Sequence, residues 1–304
     1  MFVDCRERMG VKALSGNACN GAGVRVAVLD SGFPDGHTGS ILPGGRANYV
    51  GGNANDALGH ATAVSSLLFG YDGFIGVCPY ATPYYVKVIG DNGIGSLDAV
   101  VKGIRDAIIW ECDIINLSLG FFRTDKCPES LERACREAAD AGVTIFCAAG
   151  NDGDRVYWPG ALPTTICVGS VDRGGVRLPF SSCGEVDFVA PGRDIDAIGL
   201  DGGKTKVSGT SFSTPLVAGV AALIAAQKRI DGFRCSPQDL KCALRKEARD
   251  VMLSGWDCET GYGAIGLEPA PNDDPVAEVK EHKTVRQFFG MIVSKLKGFF
   301  RPKE

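Results

Sequence analysis

The sequence predicts an α/β fold of three layers, in which helices cover both faces of a mostly parallel β-sheet. Strand-like and helix-like segments alternate along most of the chain. The hydrophobic content of 45% and the 41 glycines fit a tightly turned enzyme of this class and do not fit a disordered chain. The 304 residues suffice for one large core domain followed by an extension.

The predicted elements follow one another in strand-helix order. Strands are expected at 24–29, 84–89, 112–117, 143–148 and 165–169, and helices at 60–69, 96–110, 128–141, 213–229 and 237–246. Open parallel sheets place their active sites at the carboxyl ends of the strands. Polar side chains that directly follow a strand, or that open a helix at the same edge, are therefore the candidate functional residues.

Three such side chains stand out. Asp30 ends the apolar run of the first strand, and His60 follows a glycine at the start of an apolar helix. Ser211 follows Gly-Thr at the mouth of the longest apolar helix, where the positive helix end and free N–H groups lie beside its hydroxyl. Taken alone, this serine could be an ordinary helix cap. Together the three residues supply an acid, a base and a nucleophile in the order Asp, His, Ser, which is the order of subtilisin.

The segments around these residues resemble the signature segments of the subtilisin-like serine peptidases, or subtilases. They are residues 26–32, 59–64 and 209–215. Residues 116–120 are similar to the substrate-binding strand of that family, and residues 148–153 to the segment that carries its oxyanion asparagine. The resemblance implies a subtilisin-like catalytic domain over residues 1–268 that acts on a peptide or protein substrate.

The resemblance also implies a role for each candidate catalytic residue. His60 would take the proton of Ser211 near neutral pH, and Asp30 would orient the imidazole and stabilise its charged form. The Asn151 side chain and the backbone N–H of Ser211 would bind the oxyanion of the tetrahedral intermediate. The sequence Asn-Asp-Gly is also strong turn chemistry, so that Asn151 as a turn cap is the alternative.

A substrate pocket follows from the same resemblance. Its walls would be the backbone and side chains of two segments: Ser118, Leu119 and Gly120 in one, and Ala148, Ala149 and Gly150 in the other. Tyr157 is expected near the floor of this pocket, where it would shorten it. Asp152 is expected at the rim, where its charge would favour basic substrates.

The chain departs from the family pattern at several positions. Ala61, Phe212 and Leu216 replace a glycine, a methionine and a histidine, and none of them removes a reacting group. The loop after the helix at 60–69 lacks the Asn-rich insert that resembles the family's strong calcium site. We therefore expect no required cofactor and no tight calcium site there, and a weak calcium site stays open.

Charge and cysteine content bear on partners and compartment. A net charge of −4 gives no reason to expect nucleic acid as a partner. Three of the twelve cysteines, Cys112, Cys147 and Cys167, lie in or beside predicted buried strands, where a thiol acts as a small hydrophobe. The first ten residues are charged and hold no apolar core of a secretory signal. These observations favour a cytoplasmic protein with reduced thiols over a processed secreted form with six disulfides.

The last 36 residues form a separate region, 269–304. Residues 269–275 are expected to be a linker, and residues 276–304 a basic amphipathic helix with seven Lys or Arg against three Glu. Such a helix can pack on the protease body, lie on an anionic membrane surface or bind a protein partner.

The leading hypothesis for the function is a serine endopeptidase that works through an acyl-enzyme. An enzyme dedicated to one partner substrate, acting as a processing protease or passing its acyl group to an amine, would use the same residues. A catalytically silent binding module is the alternative from another class. The presence of all four of Asp30, His60, Asn151 and Ser211 argues against it.

Overall fold

The computed structural model describes residues 20–34, 42–71 and 73–266. The predicted linker and amphipathic helix at 269–304 lie outside the described residues.

Seven strands form one sheet in which every neighbouring pair is parallel. They are β1 (Arg25–Asp30), β2 (Gly45–Asn48), β3 (Thr82–Lys87), β4 (Ile114–Leu117), β5 (Thr144–Ala148), β6 (Ile166–Val171) and β7 (Phe188–Pro191). Their order across the sheet is β2-β3-β1-β4-β5-β6-β7. A separate antiparallel pair consists of β8 (Ile195–Ile198) and β9 (Lys204–Val207).

In the described part of the chain, five helices cover the two faces of this sheet. They are α1 (His60–Phe69), α2 (Leu97–Ile109), α3 (Glu129–Asp140), α4 (Thr210–Ile230) and α5 (Pro237–Glu247). Apolar residues of α1, α4 and α5 share one hydrophobic core with the sheet. Those of α2 and α3 share a second core on the opposite face. The prediction of a three-layer, mostly parallel α/β fold is therefore confirmed.

The predicted elements recur with small shifts of their ends, and four strands were missed. Strand β2 is a partly buried edge of the sheet with no large apolar residue, and β7 is four residues long. Strand β9 has three exposed residues out of four, so that apolar content does not mark it. The hydrophobic pattern of a sequence detects strands buried in the middle of a sheet. These four strands are short, and they lie at the ends of the main sheet or in the separate pair.

Helix α4 runs through the centre of the molecule. It is long and apolar enough to cross a membrane, but 94% of the relevant window is buried inside the protein. Pro215 lies within its first two turns and has no N–H to donate to the carbonyl of Ser211. The helix therefore begins with a carbonyl group that needs a donor from elsewhere.

Candidate active site

Asp30 and His60 meet at the carboxyl edge of the sheet. Asp30 is the last residue of β1 and His60 is the first of α1, and both side chains are buried. The Nδ1 atom of His60 lies 2.8 Å from Oδ1 of Asp30, a hydrogen-bond distance. Because the carboxylate accepts at Nδ1, it favours the tautomer in which Nε2 is free of a proton and can act as a base.

The surroundings of His60 decide its protonation. Burial lowers the pKa of the imidazole, whereas the charge of Asp30, its hydrogen bond and the charge of Asp56 raise it. The net direction is upward from 6.5, because the charge and hydrogen bond of Asp30 and the charge of Asp56 together outweigh the effect of burial.

Ser211 lies in the first turn of α4 and is buried. Its Oγ donates to the carbonyl oxygen of Ser118 at 3.1 Å. The ring of Phe212, the next residue, lies with its centroid 5.4 Å from that of His60. The start of α4 is thus packed beside the imidazole, and the contact is made by the ring of Phe212.

A second hydrogen bond joins Ser211 and Ser118 in the opposite sense. The Oγ of Ser118 donates to the carbonyl of Ser211 at 2.7 Å, and it accepts from Nδ2 of Asn116 at 2.9 Å. This carbonyl is the one that Pro215 leaves without its intrahelical donor. The segment that follows β4 therefore supplies the donor that the helix lacks.

Asn151 follows β5 and faces the same helix start. Its Oδ1 accepts from the backbone N–H of Thr210 at 2.9 Å and from the Thr210 hydroxyl at 3.1 Å. Because a backbone N–H can only donate, this contact fixes which end of the amide is the oxygen. Its Nδ2 is buried and has no hydrogen-bond partner among the residues that the structure describes. A buried, oriented donor of this kind suits an anion that is present only during a reaction.

The two segments predicted to line the pocket lie side by side. Ser118, Leu119 and Gly120 follow β4, and Ala148 ends the neighbouring strand β5, with Ala149 and Gly150 after it. Tyr157 is buried against both segments. A Cβ atom added to Gly120 would lie 2.8 Å from the Tyr157 Cβ, and one added to Gly150 would lie 2.8 Å from its Cδ1. The tyrosine therefore fills the space between the segments.

A short hydrogen-bond chain holds Tyr157 in this position. Its hydroxyl donates to Oδ2 of Asp152 at 2.9 Å, and Ser182 donates to Oδ1 of the same carboxylate at 2.7 Å. The ring of Phe122 packs on it, with centroids 4.9 Å apart. Both oxygens of Asp152 thus have partners within the protein, but the residue is exposed, and its preference for basic substrates stays a prediction.

The segments that form this site match a known protein family. The family model described as Peptidase_S8, subtilase family, matches residues 21–263. The chain belongs to the subtilase family. The matched range covers the five helices of the described residues and the segments that surround Asp30, His60 and Ser211.

Other subtilases resemble the chain over much of its length. Subtilisin E of Bacillus subtilis (strain 168) is 36% identical over 224 residues, which are 70% of this chain and 58% of that protein. The chain thus spans about 58% of the length of the first curated relatives it matches. Among solved structures, the prenylagaramide maturation protease PagA has a TM-score of 0.72 and 30% identity, covering 84% of this chain and 95% of PagA. A lanthipeptide protease at 24% identity and a TM-score of 0.78 covers 86% of this chain and 91% of its own, and shares the fold.

Several residues of this subtilase site escaped the sequence analysis. Ser31, Asp56 and Lys87 are buried polar residues beside Asp30 or before α1. Thr210 binds Asn151, and Ser182 binds Asp152. Ser31 and Thr210 lie within the signature segments 26–32 and 209–215, but no role follows for them from the sequence, and nothing marks the other three, since each acquires its partner through the fold.

Within the described residues, no group of three or more His, Cys, Asp or Glu side chains is arranged to hold a metal ion. Calcium also binds backbone carbonyls, so that the weak calcium site stays a prediction.

Proposed function

We propose that this subtilase is a serine endopeptidase that cleaves peptide bonds through an acyl-enzyme, with Ser211 as nucleophile, His60 as general base and Asp30 as the residue that orients it. The observation that carries this proposal is the 2.8 Å contact between Asp30 and His60, next to a serine at the start of a buried helix.

In the proposed reaction, the Ser211 hydroxyl turns away from the Ser118 carbonyl and gives its proton to Nε2 of His60. Its oxygen attacks the substrate carbonyl, and the proton then passes to the leaving amine as the peptide bond breaks. Water, activated by the same imidazole, hydrolyses the acyl-enzyme and restores Ser211. Hydrogen bonds of a resting site are often misaligned and become shorter when the substrate binds, so the contact with Ser118 is compatible with this step.

The oxyanion of each tetrahedral intermediate would be bound by Nδ2 of Asn151 and by the backbone N–H of Ser211. Support comes from the buried Nδ2, whose orientation is fixed through Oδ1 by Thr210. The N–H of Ser211 lies in the first turn of α4, where backbone donors have no partner inside the helix. No cofactor is required by this scheme.

The pocket geometry supports a narrow substrate range. Because Tyr157 fills the space between Gly120 and Gly150, we propose that the residue before the scissile bond is small, such as glycine, alanine or serine. A site that accepts few side chains suits a processing enzyme that acts on one partner substrate. The likeness to PagA, a maturation protease by name, supports this second candidate within the same chemistry.

Transfer of the acyl group to an amine in place of water uses the same groups and remains part of this second candidate. A silent binding module is disfavoured, because it needs neither the oriented imidazole nor the buried amide donor.

We further propose that the protein resides in a reducing cytoplasm. All ten cysteines within the described part of the chain are free, and several are buried, which supports reduced thiols. Docking of residues 276–304 on a membrane surface or a partner also stays a proposal.

The first test is covalent labelling of the purified protein with a fluorophosphonate, read by intact mass. We expect one adduct on the parent protein and none on Ser211→Ala. Asn151→Ala serves as the matched control, because it keeps the nucleophile and should label slowly. An unlabelled parent, or an adduct that persists in Ser211→Ala, would contradict the proposal.

A further inference from the structure

Asp56 is a buried carboxylate in the loop before α1, with only 6% of its surface exposed. It accepts five hydrogen bonds, from Ser31 Oγ, Leu58 N, Gly59 N, Thr62 N and Thr62 Oγ1, at 2.7–3.0 Å. Three of these donors are backbone N–H groups: those of Leu58 and Gly59 just before the helix that His60 begins, and that of Thr62 in its first turn. Gly59, the N-cap residue, has no side chain to accept from the Thr62 N–H, so Asp56 accepts from it instead, from outside the helix.

Ser31 connects this carboxylate to the end of β1. Its hydroxyl donates to Oδ1 of Asp56 at 2.8 Å and accepts from the backbone N–H of Ala61 at 3.0 Å. Its own N–H donates to Oδ1 of Asp30 at 2.6 Å, the same oxygen that accepts from His60. The strand end and the helix start are therefore joined twice: directly through Asp30 and His60, and indirectly through Ser31 and Asp56.

Close backbone packing brings these groups together. A Cβ atom on Gly32, whose φ is +149°, would lie 2.6 Å from the backbone nitrogen of Asp56, so a larger residue would push the two segments apart. The N–H of Asp56 donates to the carbonyl of Phe33 at 2.8 Å. Lys87, fully buried, donates to the carbonyls of Ser31 and Asn55 from the end of β3.

We propose that Asp56 is a positioning residue, which holds His60 against Asp30 through Ser31 and whose charge favours the imidazolium that forms during catalysis. This inference rests on the proposed peptidase function. The direct partner of the imidazole is Asp30, and Asp56 adds a second negative charge at the opposite end of the Ser31 link.

The charged groups near His60 come from three elements. Asp30 belongs to β1, and Asp56 to the loop before α1. Lys87 ends β3, paired in register with Asp30, and it forms an ion pair with Asp91 at 2.8 Å. Helix α4 contributes the uncharged ring of Phe212. The substitution of Asp56 by asparagine removes one negative charge and replaces one accepting oxygen by an amide donor, while the side chains of Asp30 and His60 themselves are unchanged.

The test compares Asp56→Asn with Ser31→Ala by measuring the second-order rate of fluorophosphonate labelling as a function of pH. For Asp56→Asn we expect a rate about tenfold lower at its plateau. We also expect the acid limb of the pH profile, the rise in rate as His60 loses its proton, to move to lower pH by about half a pH unit. Ser31→Ala removes the hydrogen bond to Asp56 and keeps the charge of Asp56. For this variant we expect the plateau labelling rate to fall, while the midpoint of the rise in rate with pH stays at its parental value.

Asp187→Asn is the matched control. Asp187 is similarly buried, at 9% exposure, but it binds Lys241 and the N–H of Cys167, away from His60. Its labelling rate and limb should match those of the parent protein. An unmoved limb in Asp56→Asn, or an equal shift in Asp187→Asn, would overturn the electrostatic role.

A parental plateau rate in Ser31→Ala would overturn the positioning role, even if Asp56→Asn failed to fold. Failure of the parent protein to label at all would instead refute the peptidase proposal, and this inference with it.

Discussion

The two halves of the candidate site are built in different ways. The acid-base half, residues 30–62, is joined by side-chain hydrogen bonds that run from Asp30 through Ser31 and Asp56 to the start of α1. The nucleophile half, residues 118–211, is joined by hydrogen bonds between uncharged groups, those of Ser118 with Ser211 and of Asn151 with Thr210, and its pocket depends on backbone shape. There the glycines Gly120 and Gly150 leave space that Tyr157 fills, and helix α4 begins beside them.

Because of this difference, we expect substitutions in the two halves to change different properties of the site. Changes of charge or hydrogen bonding in the acid-base half should alter the protonation and placement of His60. Changes of size in the nucleophile half should alter which substrates fit.

The largest effect is expected in the nucleophile half, at Asn151. Asn151→Ala removes the buried Nδ2 donor and should lower kcat by about 10²–10³-fold, a figure taken from the corresponding asparagine of subtilisin. KM for a peptide substrate should change little, because the oxyanion exists only in the intermediate. Steady-state kinetics on the two proteins measure both constants, and a loss confined to KM would argue against the oxyanion role.

A smaller effect is expected at the pocket. Tyr157→Gly should open the space between Gly120 and Gly150 and raise kcat/KM for substrates with a large residue before the cut, relative to alanine, by about 10–100-fold. Tyr157→Phe is the matched control, since it keeps the ring and loses only the bond to Asp152. Profiling with a peptide library compares the three proteins. Identical profiles for Tyr157→Gly and the parent would show that the tyrosine does not limit the pocket.

The smallest effect concerns the acid-base half in the unmodified protein. Burial lowers the pKa of His60, but the charge and hydrogen bond of Asp30 and the charge of Asp56 together outweigh it, and the net shift is upward from 6.5. The base must be neutral to accept a proton, so kcat/KM should rise with pH through a midpoint above 6.5. At pH 6.5 it should be less than half of its plateau. A pH profile of kcat/KM with a midpoint at or below 6.5 would contradict this direction.

The elements and site residues that can be predicted from the sequence are those that border a run of apolar residues. Asp30 and His60 border apolar runs, and α1 has the bounds that were predicted for it, residues 60–69. Their hydrogen bond follows from the alternating topology, which brings strand ends and helix starts to one edge.

The parts that it missed depend on contacts between distant segments. Asp56 lies in a polar loop, and nothing in its local context predicts a buried carboxylate with five donors. The link through Ser31 needs the close approach at Gly32, and the anchoring of Tyr157 needs Ser182, 25 residues further along the chain. Neither of these contacts can be predicted from the hydrophobic pattern or from the spacing of motifs along the chain.

Pro215 has a consequence for local unfolding. Because the proline cannot donate to the carbonyl of Ser211, the first turn of α4 depends on Ser118 for that bond, and Ser118 belongs to the segment after β4. Fraying of the helix start and separation of that segment would both break this bond, so we expect the two openings to be coupled. Amide protons on both sides should exchange with solvent together, so that the nucleophile and the wall of its pocket are lost or kept as a unit.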